Sequence, residues 1–327
     1  MKQIFTKIAL YQKYLIIAAL IFAVLFPFLF SDQYVLRMGT VSLMYVMLAL
    51  GMNLIMGFMG QMSFGHAAFW GIGAYTAAIL STRFGTGSIV NIIAAAVITG
   101  ALGFLLALPV LKLKGYYLTI VTFGFCEIVR LVELNSTHLT GGPLGIKAIP
   151  SLSFFGIKFE SPLAIYFVIL ALVLLTTIAV ARIASSRFGL AIRAIRDDDS
   201  AAEVMGVNIV HYKIMTFVIS AIIAGIAGVF YAQYVSYIDS TSFTTTASQE
   251  LCVMIILGGL GSLPGTFFGA IALTVIPELL RGLMEYRMLI YGVIMVVMML
   301  VRPQGLLGYI DFGQLRQSEL EKRKNRT

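Results

Sequence analysis

Length, composition and charge exclude an ordinary soluble domain. The chain has 327 residues, of which 59% are hydrophobic and only 12% are charged, and its mean hydropathy is +0.94. Repeated apolar runs of about 20 residues in such a chain are typical of helices that cross a membrane and contact lipid. The formal net charge of +8 then indicates basic cytoplasmic loops and does not indicate a nucleic-acid partner.

The apolar runs predict an all-α, polytopic bundle of about eight to ten transmembrane segments. The first run ends at Pro27–Phe30 without a small-residue cleavage site, which favours a retained span over a signal peptide. The runs near residues 251–280 are short and interrupted by glycine, so they are either two spans or a re-entrant pair. In chain order, the segments are Tyr14–Phe30, Val41–Gly57, Phe64–Leu80, Ile89–Leu111, Tyr116–Leu134, Leu163–Ile183, Ile214–Val235, Leu251–Leu260, Thr266–Leu280 and Met288–Val301.

The distribution of basic residues predicts that both termini are cytoplasmic. If the N-terminus is inside and all ten segments cross, sixteen of the 23 Lys and Arg residues lie inside, six lie outside and Arg130 lies within a span. Basic residues favour the cytoplasmic side of a membrane. On this topology, residues 1–310 form a membrane domain with an external loop at about 135–162 and a cytoplasmic loop at about 185–212. Residues 311–327 form a basic cytoplasmic tail.

The cytoplasmic loop contains a charged stretch, Arg193–Gly206, between long apolar runs. Ser200 and Glu203 have the spacing of a capping box, in which each side chain accepts a hydrogen bond from the other residue's backbone N–H. Gly206 suits the end of a helix. Upstream, from Arg187 onward, apolar residues alternate with basic ones. We interpret these residues as short amphipathic helices at the membrane surface, and an ordinary solvated loop is the alternative.

Two glycine-rich breaks interrupt apolar runs at corresponding places in the two halves of the chain. We call Gly57–Gly73 the first glycine break and Gly258–Gly269 the second glycine break. Their resemblance suggests an internal structural repeat, and broken helices of this kind can line a central pathway. Close packing of helices also uses glycine. The pattern slightly favours close packing over pathway lining.

Polar residues inside the apolar segments indicate where a pathway would run. Glu127 and Arg130 are three residues apart, so we expect an ion pair that faces the bundle interior and is structural. For the lone His66 we expect a hydrogen bond between helices. The candidate pathway residues are Asn53, Gln61, Ser63, Gly65, His66, Thr119, Thr122, Gly258 and Gly261.

Motifs for catalysis, cofactors and metals do not occur in the sequence. The chain has no G-x-x-x-x-G-K-[ST], G-x-S-x-G, H-E-x-x-H or C-x-x-C motif, and no second histidine or acidic cluster offers metal-ligand spacing. Cys126 and Cys252 lie in apolar runs and are expected to be small buried hydrophobes. We therefore expect no enzymatic activity, no cofactor and no metal.

Several short motifs, taken in order, carry a resemblance to a known family. They are Gly60–Ala67, Gly115–Thr119, Thr140–Gly142 with Gly145–Ile146, Arg193–Asp198 with Ala201–Glu203 and Gly206, and Arg302–Leu306. Together they resemble the permeases of branched-chain amino-acid ABC transporters, LivM type. The resemblance runs from about Gly39 to Leu307.

The resemblance implies that the protein is one membrane half of a bacterial importer in the inner membrane. Its partners would be two cytoplasmic ATPase subunits, a second homologous permease subunit, expected to form a heterodimer with this chain, and an external solute-binding protein. ATP would be hydrolysed on the separate subunits. The implied substrates are leucine, isoleucine and valine.

The same resemblance implies that Arg193–Gly206 is the loop that couples the permease to its ATPase. In that role the docking helix contains Ala201 and Ala202 and ends at Gly206. The charged contacts would be Arg193, Arg196, Asp197, Asp198 and Glu203. The order Ala-Ala-Glu, and the lack of a Leu-Pro pair after Gly206, depart from the fuller EAA pattern of ABC importers.

Three alternatives stay open from the sequence. A permease for urea or short-chain amides is similar enough to leave the substrate undecided. A stand-alone secondary transporter would need a coupling-ion site, for which only Glu127 and Arg130 are placed. A structural membrane protein without transport activity is the third alternative.

Overall fold

The computed structural model describes residues 12–29, 32–110, 116–154 and 156–279, together with single positions between 286 and 305. Most described residues are helical, which confirms the predicted all-α polytopic class. Some predictions fall outside these residues. They are the last segment, Met288–Val301, apart from a few positions, the Arg302–Leu306 motif apart from Gly305, Gly115, and the tail at 311–327.

The helices follow the predicted segments closely at most positions. They are α1 Gln12–Leu29, α2 Gln33–Asn53, a π-helix Leu54–Phe58, α3 His66–Phe84, α4 Ser88–Val110, α5 Tyr116–Asn135, α6 Thr137–Thr140, a 3-10 helix Gly142–Leu144, α7 Pro162–Ser185, α8 Arg187–Asp197, α9 Asp199–Val204, α10 Ile209–Val235, α11 Thr245–Gly258 and α12 Leu263–Leu279. Four stretches of the described chain are long and apolar enough to cross a membrane: Gln33–Phe58, Ser88–Pro109, Pro162–Ser185 and Ile209–Val235.

Helices α3, α4 and α10 pack extensively against one another, and glycine allows them to approach closely. A Cβ atom on Gly73 of α3 would lie 2.1 Å from the carbonyl oxygen of Gly225 in α10, and a Cβ on Gly228 would lie 2.2 Å from the carbonyl oxygen of Trp70. No side chain fits at such distances, so the two helix backbones are in direct contact. At Gly73, therefore, the first glycine break serves close packing.

Helices α11 and α12 form a hairpin of two short apolar helices. The turn between them is so tight that a Cβ on Gly258 would lie 1.9 Å from the Gly265 carbonyl oxygen. At the far end of α12, the Glu278 carboxylate accepts a hydrogen bond from the Tyr34 hydroxyl, near the start of α2. α12 therefore runs antiparallel to α2, with the hairpin turn beside the end of α2.

Four two-residue strands join the connecting segments at the end of the bundle away from that turn. Strand β1, Ile146–Lys147, pairs antiparallel with β4, Tyr237–Ile238. Strand β2, Ser153–Phe154, pairs with β3, Ile157–Lys158, and the Ser153 N–H donates to the Ser88 hydroxyl at 2.8 Å. The predicted external loop thus packs against the ends of α4 and α10. Which end faces the cytoplasm stays a prediction.

Candidate functional site

The charged stretch forms two consecutive helices, α8 and α9, which confirms the helical interpretation over a solvated loop. The predicted capping box of Ser200 and Glu203 is wrong. Asp198 is the N-cap of α9, and its carboxylate accepts hydrogen bonds from the N–H groups of Ser200 at 2.8 Å and Ala201 at 3.0 Å. Asp198 is favoured because it lies one residue before the helix in extended backbone. The predicted end at Gly206 is confirmed, with a φ of 84°.

Helix α8 lies against the bundle through its apolar face. Ile192 and Ile195 are buried, while Leu190 is exposed. Gly189 is required because a Cβ there would lie 2.2 Å from the Ala184 carbonyl oxygen at the end of α7. The helix is therefore held tightly at its first turn.

Helix α9 is anchored at its start and exposed at its end. The Lys213 ammonium on α10 pairs with the Asp199 carboxylate at 2.8 Å, and the Lys213 side chain is buried. At the other end, Val204 is 88% exposed and Met205 is 83% exposed. Ala202, a predicted docking residue, is buried, whereas Ala201 and Glu203 are exposed. The helix therefore presents an apolar tip on a fixed base.

Arg196 connects α8 to both glycine breaks. Its Nη1 donates to the Gly57 carbonyl oxygen at 3.1 Å, and its guanidinium pairs with the Asp197 carboxylate at 3.3 Å. A Cβ on Gly60 would lie 2.4 Å from Arg196 Cγ, and a Cβ on Gly261 would lie 3.6 Å from Arg196 Nη1. One side chain of the charged stretch therefore hydrogen-bonds the first break and lies near the turn of the second.

Arg193 adds a second contact between α8 and the first break. Its guanidinium lies over the ring of Phe58, 5.8 Å from the ring centroid, and its Nε donates to the Gly189 carbonyl oxygen at 3.2 Å. A guanidinium over an aromatic face is attracted by the ring quadrupole. Arg193 and Arg196 thus hold the last turn of the π-helix from two sides.

The two glycine breaks also contact each other, through Asn53. The buried Asn53 amide donates to the Thr266 hydroxyl at 2.9 Å and accepts the Gly261 N–H at 3.0 Å. A Cβ on Gly57 would lie 2.3 Å from the Gly261 nitrogen. Asn53 and Gly261, predicted as pathway residues, therefore lie in the contact between the breaks, whereas Gly258, also predicted, packs against Gly265 within the hairpin of α11 and α12.

The non-helical residues 59–65 are held by polar groups of neighbouring helices. The Phe64 N–H donates to the Thr122 hydroxyl at 3.0 Å, and the Thr119 hydroxyl donates to the Met62 carbonyl oxygen at 3.4 Å. The Ala67 N–H, in the first turn of α3, donates to the Ser248 hydroxyl at 2.9 Å. Irregular backbone at membrane depth needs such partners, because lipid offers none.

His66 begins α3 and is fully buried. The predicted hydrogen bond between helices is wrong, because neither ring nitrogen of His66 has a hydrogen-bond partner among the described residues. Ser63 and Gly65 are also buried beside it, while Gln61 is half-buried. These predicted residues are therefore brought together at the start of α3, and their role in a pathway stays a prediction.

The predicted ion pair within α5 is present. The Arg130 guanidinium lies 2.9 Å from the Glu127 carboxylate, which also accepts a hydrogen bond from the Thr245 hydroxyl at 3.0 Å. Sequence reasoning missed the next ionisable residue on the same helix, Glu133. It lies three residues beyond Arg130, inside the predicted segment, and that spacing was the available signal.

Comparison with known proteins decides the family. Residues 34–299 match the family model described as "Branched-chain amino acid transport system / permease component". The chain belongs to this family. It is therefore a multi-pass membrane permease.

Curated relatives of this permease include proteins named LivM and LivH. The chain is 38% identical over 319 residues to the high-affinity branched-chain amino acid transport system permease protein LivM of Escherichia coli K12, covering 90% of this chain and 75% of the relative. It is 27% identical to the LivH permease of the same strain, covering 86% and 96%. A probable LivM of Methanocaldococcus jannaschii is 25% identical, covering 81% and 90%. No solved structure matches the permease.

Proposed function

We propose that this chain is the permease subunit of an ATP-driven importer that takes up leucine, isoleucine and valine in the bacterial inner membrane. The observation that carries this proposal is Arg196, a residue of the charged stretch that hydrogen-bonds the first glycine break beside its contact with the second. A surface helix so connected suits the transmission of motion from a cytoplasmic partner to broken helices in the membrane. The names of the relatives support the substrate class.

The proposed cytoplasmic partners are two ATPase subunits that dock on α9. Its exposed apolar tip, Val204 and Met205, offers surface to bury against a partner groove. The ion pair between Asp199 and Lys213 fixes the base of the helix on α10. A push on the tip would therefore move α8 and α9 as one unit instead of unwinding them.

The remaining proposed partners are a second permease half and an external solute-binding protein. Relatives named LivM and LivH from the same strain both match this chain, and the LivM protein matches more strongly. We therefore propose a heterodimer with a LivH-like half. Both termini of this chain would be cytoplasmic, as the basic residues predict.

In the proposed mechanism, closure of the ATPase pair moves α9 and α8 towards the other half. Arg196 then displaces the turns at Gly57 and Gly261 together, because it contacts both and because Asn53 joins them. The bundle rocks between outward-facing and inward-facing states, and substrate moves past the broken helices.

Reconstitution tests the proposed function. The chain is co-purified with its native membrane partners and placed in liposomes with the matching solute-binding protein, and uptake of labelled leucine is followed with and without ATP. We expect ATP-dependent uptake that isoleucine and valine compete for and that urea and acetamide do not. Competition by urea or acetamide alone would contradict the proposed substrate. Uptake by the isolated chain driven by an ion gradient would contradict the importer.

A further inference from the structure

Glu133 is a buried carboxyl group without an ion pair or a hydrogen bond among the described residues. The residue is 4% exposed, and neither of its carboxylate oxygens has a hydrogen-bond partner among the described residues. The cation one turn earlier, Arg130, is already held by Glu127 at 2.9 Å. Removing a charge from water without a partner costs several kcal/mol or more, so such a group calls for an explanation.

The position of Glu133 makes a purely structural role for it unfavourable. It lies in the last turn of α5, where the negative end of the helix dipole disfavours a carboxylate. An apolar side chain of similar size would fill the same space without the desolvation cost. An ionisable group at such a place within a membrane segment is typical of a functional site.

Two orphaned donors lie on α3 within about one turn of Gly71, the residue that the Glu133 carboxylate approaches. The indole N–H of Trp70 and the hydroxyl of Tyr75 are buried and also have no hydrogen-bond partner among the described residues. Phe243 is the neighbour they share: its ring centroid lies 4.9 Å from that of Trp70 and 5.9 Å from that of Tyr75. A Cβ on Gly71 would lie 2.6 Å from Glu133 Oε1 and 2.9 Å from Phe243 Cγ. The Glu133 carboxylate and the Phe243 ring therefore both lie against Gly71 of α3, the helix that also carries Trp70 and Tyr75.

These groups match the chemistry of a zwitterion. A carboxylate beside aromatic rings attracts an ammonium group through charge and through the ring quadrupoles. An N–H and an O–H donor can in turn bind a carboxylate, and the aromatic rings offer apolar surface for an aliphatic side chain. A neutral amide would leave the Glu133 charge unmatched.

We propose that Glu133, Trp70 and Tyr75 form a binding site for the backbone of a free amino acid, in which Glu133 takes the α-ammonium group. This inference rests on the proposed function and deepens it. The Thr140 hydroxyl donates to the Glu133 carbonyl oxygen at 2.6 Å, so the site lies beneath the segment that follows α5, at the opposite end of the bundle from Arg196. On the proposed topology this is the entry side.

The test is leucine binding to the permease–ATPase complex in lipid nanodiscs without the solute-binding protein. We expect Glu133→Gln to weaken binding of labelled leucine more than tenfold, because it removes the charge and keeps the shape. Glu160→Gln makes the same chemical change at an exposed position of the external loop and should leave binding unchanged. In the wild-type complex, unlabelled leucine should compete, whereas 4-methylpentanoate, which lacks the ammonium group, should not.

Two further variants keep the test informative if Glu133→Gln does not fold. Trp70→Phe and Tyr75→Phe each remove one donor and keep an aromatic ring, and each should weaken leucine binding about fivefold. Ligand-free Glu133→Gln should unfold at the same temperature as the wild type or higher, because an uncompensated charge is removed. A structural carboxylate would instead give a lower temperature.

The outcomes separate this site from the proposed function. Absence of leucine binding by the wild-type complex would overturn the site, as would equal binding by all three variants or equal competition by 4-methylpentanoate. If any of these occurs while ATP-driven leucine uptake persists with the solute-binding protein, only the proposed binding site is refuted and the proposed function stands. If the wild-type importer takes up none of the three branched-chain amino acids, the proposed function fails.

Discussion

Arg196 is the residue on which the proposed coupling depends. Its guanidinium donates to the backbone of the first glycine break and lies against the second glycine break, while its aliphatic stem covers Gly60. A planar guanidinium can serve several acceptors in fixed geometry, which a lysine ammonium on a flexible stem does not reproduce. Arg196 therefore combines packing and hydrogen bonding at one junction.

Arg196→Ala should uncouple ATP hydrolysis from transport. We expect uptake to fall at least tenfold while the assembled complex keeps most of its ATPase activity, because the docking helix remains and only its link to the breaks is lost. Arg196→Lys should restore little of the uptake. Arg182→Ala removes an exposed arginine from the end of α7 and serves as the control. The measurement is uptake and ATP hydrolysis in the same liposomes, and wild-type uptake by Arg196→Ala would refute the link.

At the scale of elements, the stability of α9 depends on its cap. The helix has only six residues, so it cannot persist without its cap and its tertiary contacts. Asp198 satisfies two N–H groups at its start. The Ser200 side chain, which the sequence favoured as the cap, lies within the helix.

Asp198→Ala should weaken the docking of the ATPase subunits. Loss of an N-cap costs about 1 kcal/mol of helix stability, so we expect a severalfold loss of affinity in a pull-down or by surface plasmon resonance. Asp198→Asn, which can still cap, should retain affinity. Ser200→Ala should leave the affinity for the ATPase subunits nearly unchanged. A larger loss of affinity from Ser200→Ala than from Asp198→Ala would contradict the Asp198 cap and support the capping box.

The crossing of α3 and α10 gives a second prediction for elements. Gly73→Ala places a methyl group where the α10 backbone now lies, so the helices must separate. We expect a loss of about 1–3 kcal/mol in stability, the usual range for overpacked cores, measured as a lower unfolding temperature in detergent. Gly124→Ala in α5 is the matched control, because a Cβ there meets nothing within 4 Å, and it should be neutral or slightly stabilising. Equal unfolding temperatures for the two variants would mean that the helix contact is loose.

For the whole molecule, the structure places the external loop and the charged stretch at opposite ends of the bundle. Strands β1 and β4 join the loops after α5 and α10 at one end, and Arg196 meets the hairpin turn at the other. This separation agrees with the topology that the basic residues predict. The direction of the bundle across the membrane is the remaining prediction.

Cysteine labelling checks that direction. Both native cysteines are buried, so background labelling should be low. Lys158→Cys should react with a membrane-impermeant maleimide on intact cells, whereas Arg187→Cys should react only after the membrane is opened, because both positions are exposed but at opposite ends. Reversed reactivity would invert the topology, and with it the assignment of α9 to the cytoplasm.

Much of the fold could be predicted because the local composition of the chain shows which segments cross the membrane. Apolar runs predicted the helices of the bundle within a few residues in most cases, and the spacing of Glu127 and Arg130 predicted their ion pair. The predicted start of α11, Leu251, lies after its observed start, Thr245. The prediction missed the first turns because Thr245, Ser248 and Glu250 are polar but buried. Local hydropathy cannot distinguish a buried polar residue from one in a loop.

The sequence alone determined the class of protein, the helical segments and the family, because lipid imposes long apolar runs and because short motifs recur in order. Only the tertiary structure decided what the polar residues do. It brought Asn53 to Gly261 and Arg196 to Gly57, replaced Ser200 by Asp198 as the cap, and left Glu133, Trp70 and Tyr75 buried without hydrogen-bond partners among the described residues. These contacts join residues far apart in the chain, so their distances depend on how the helices pack and not on any local pattern.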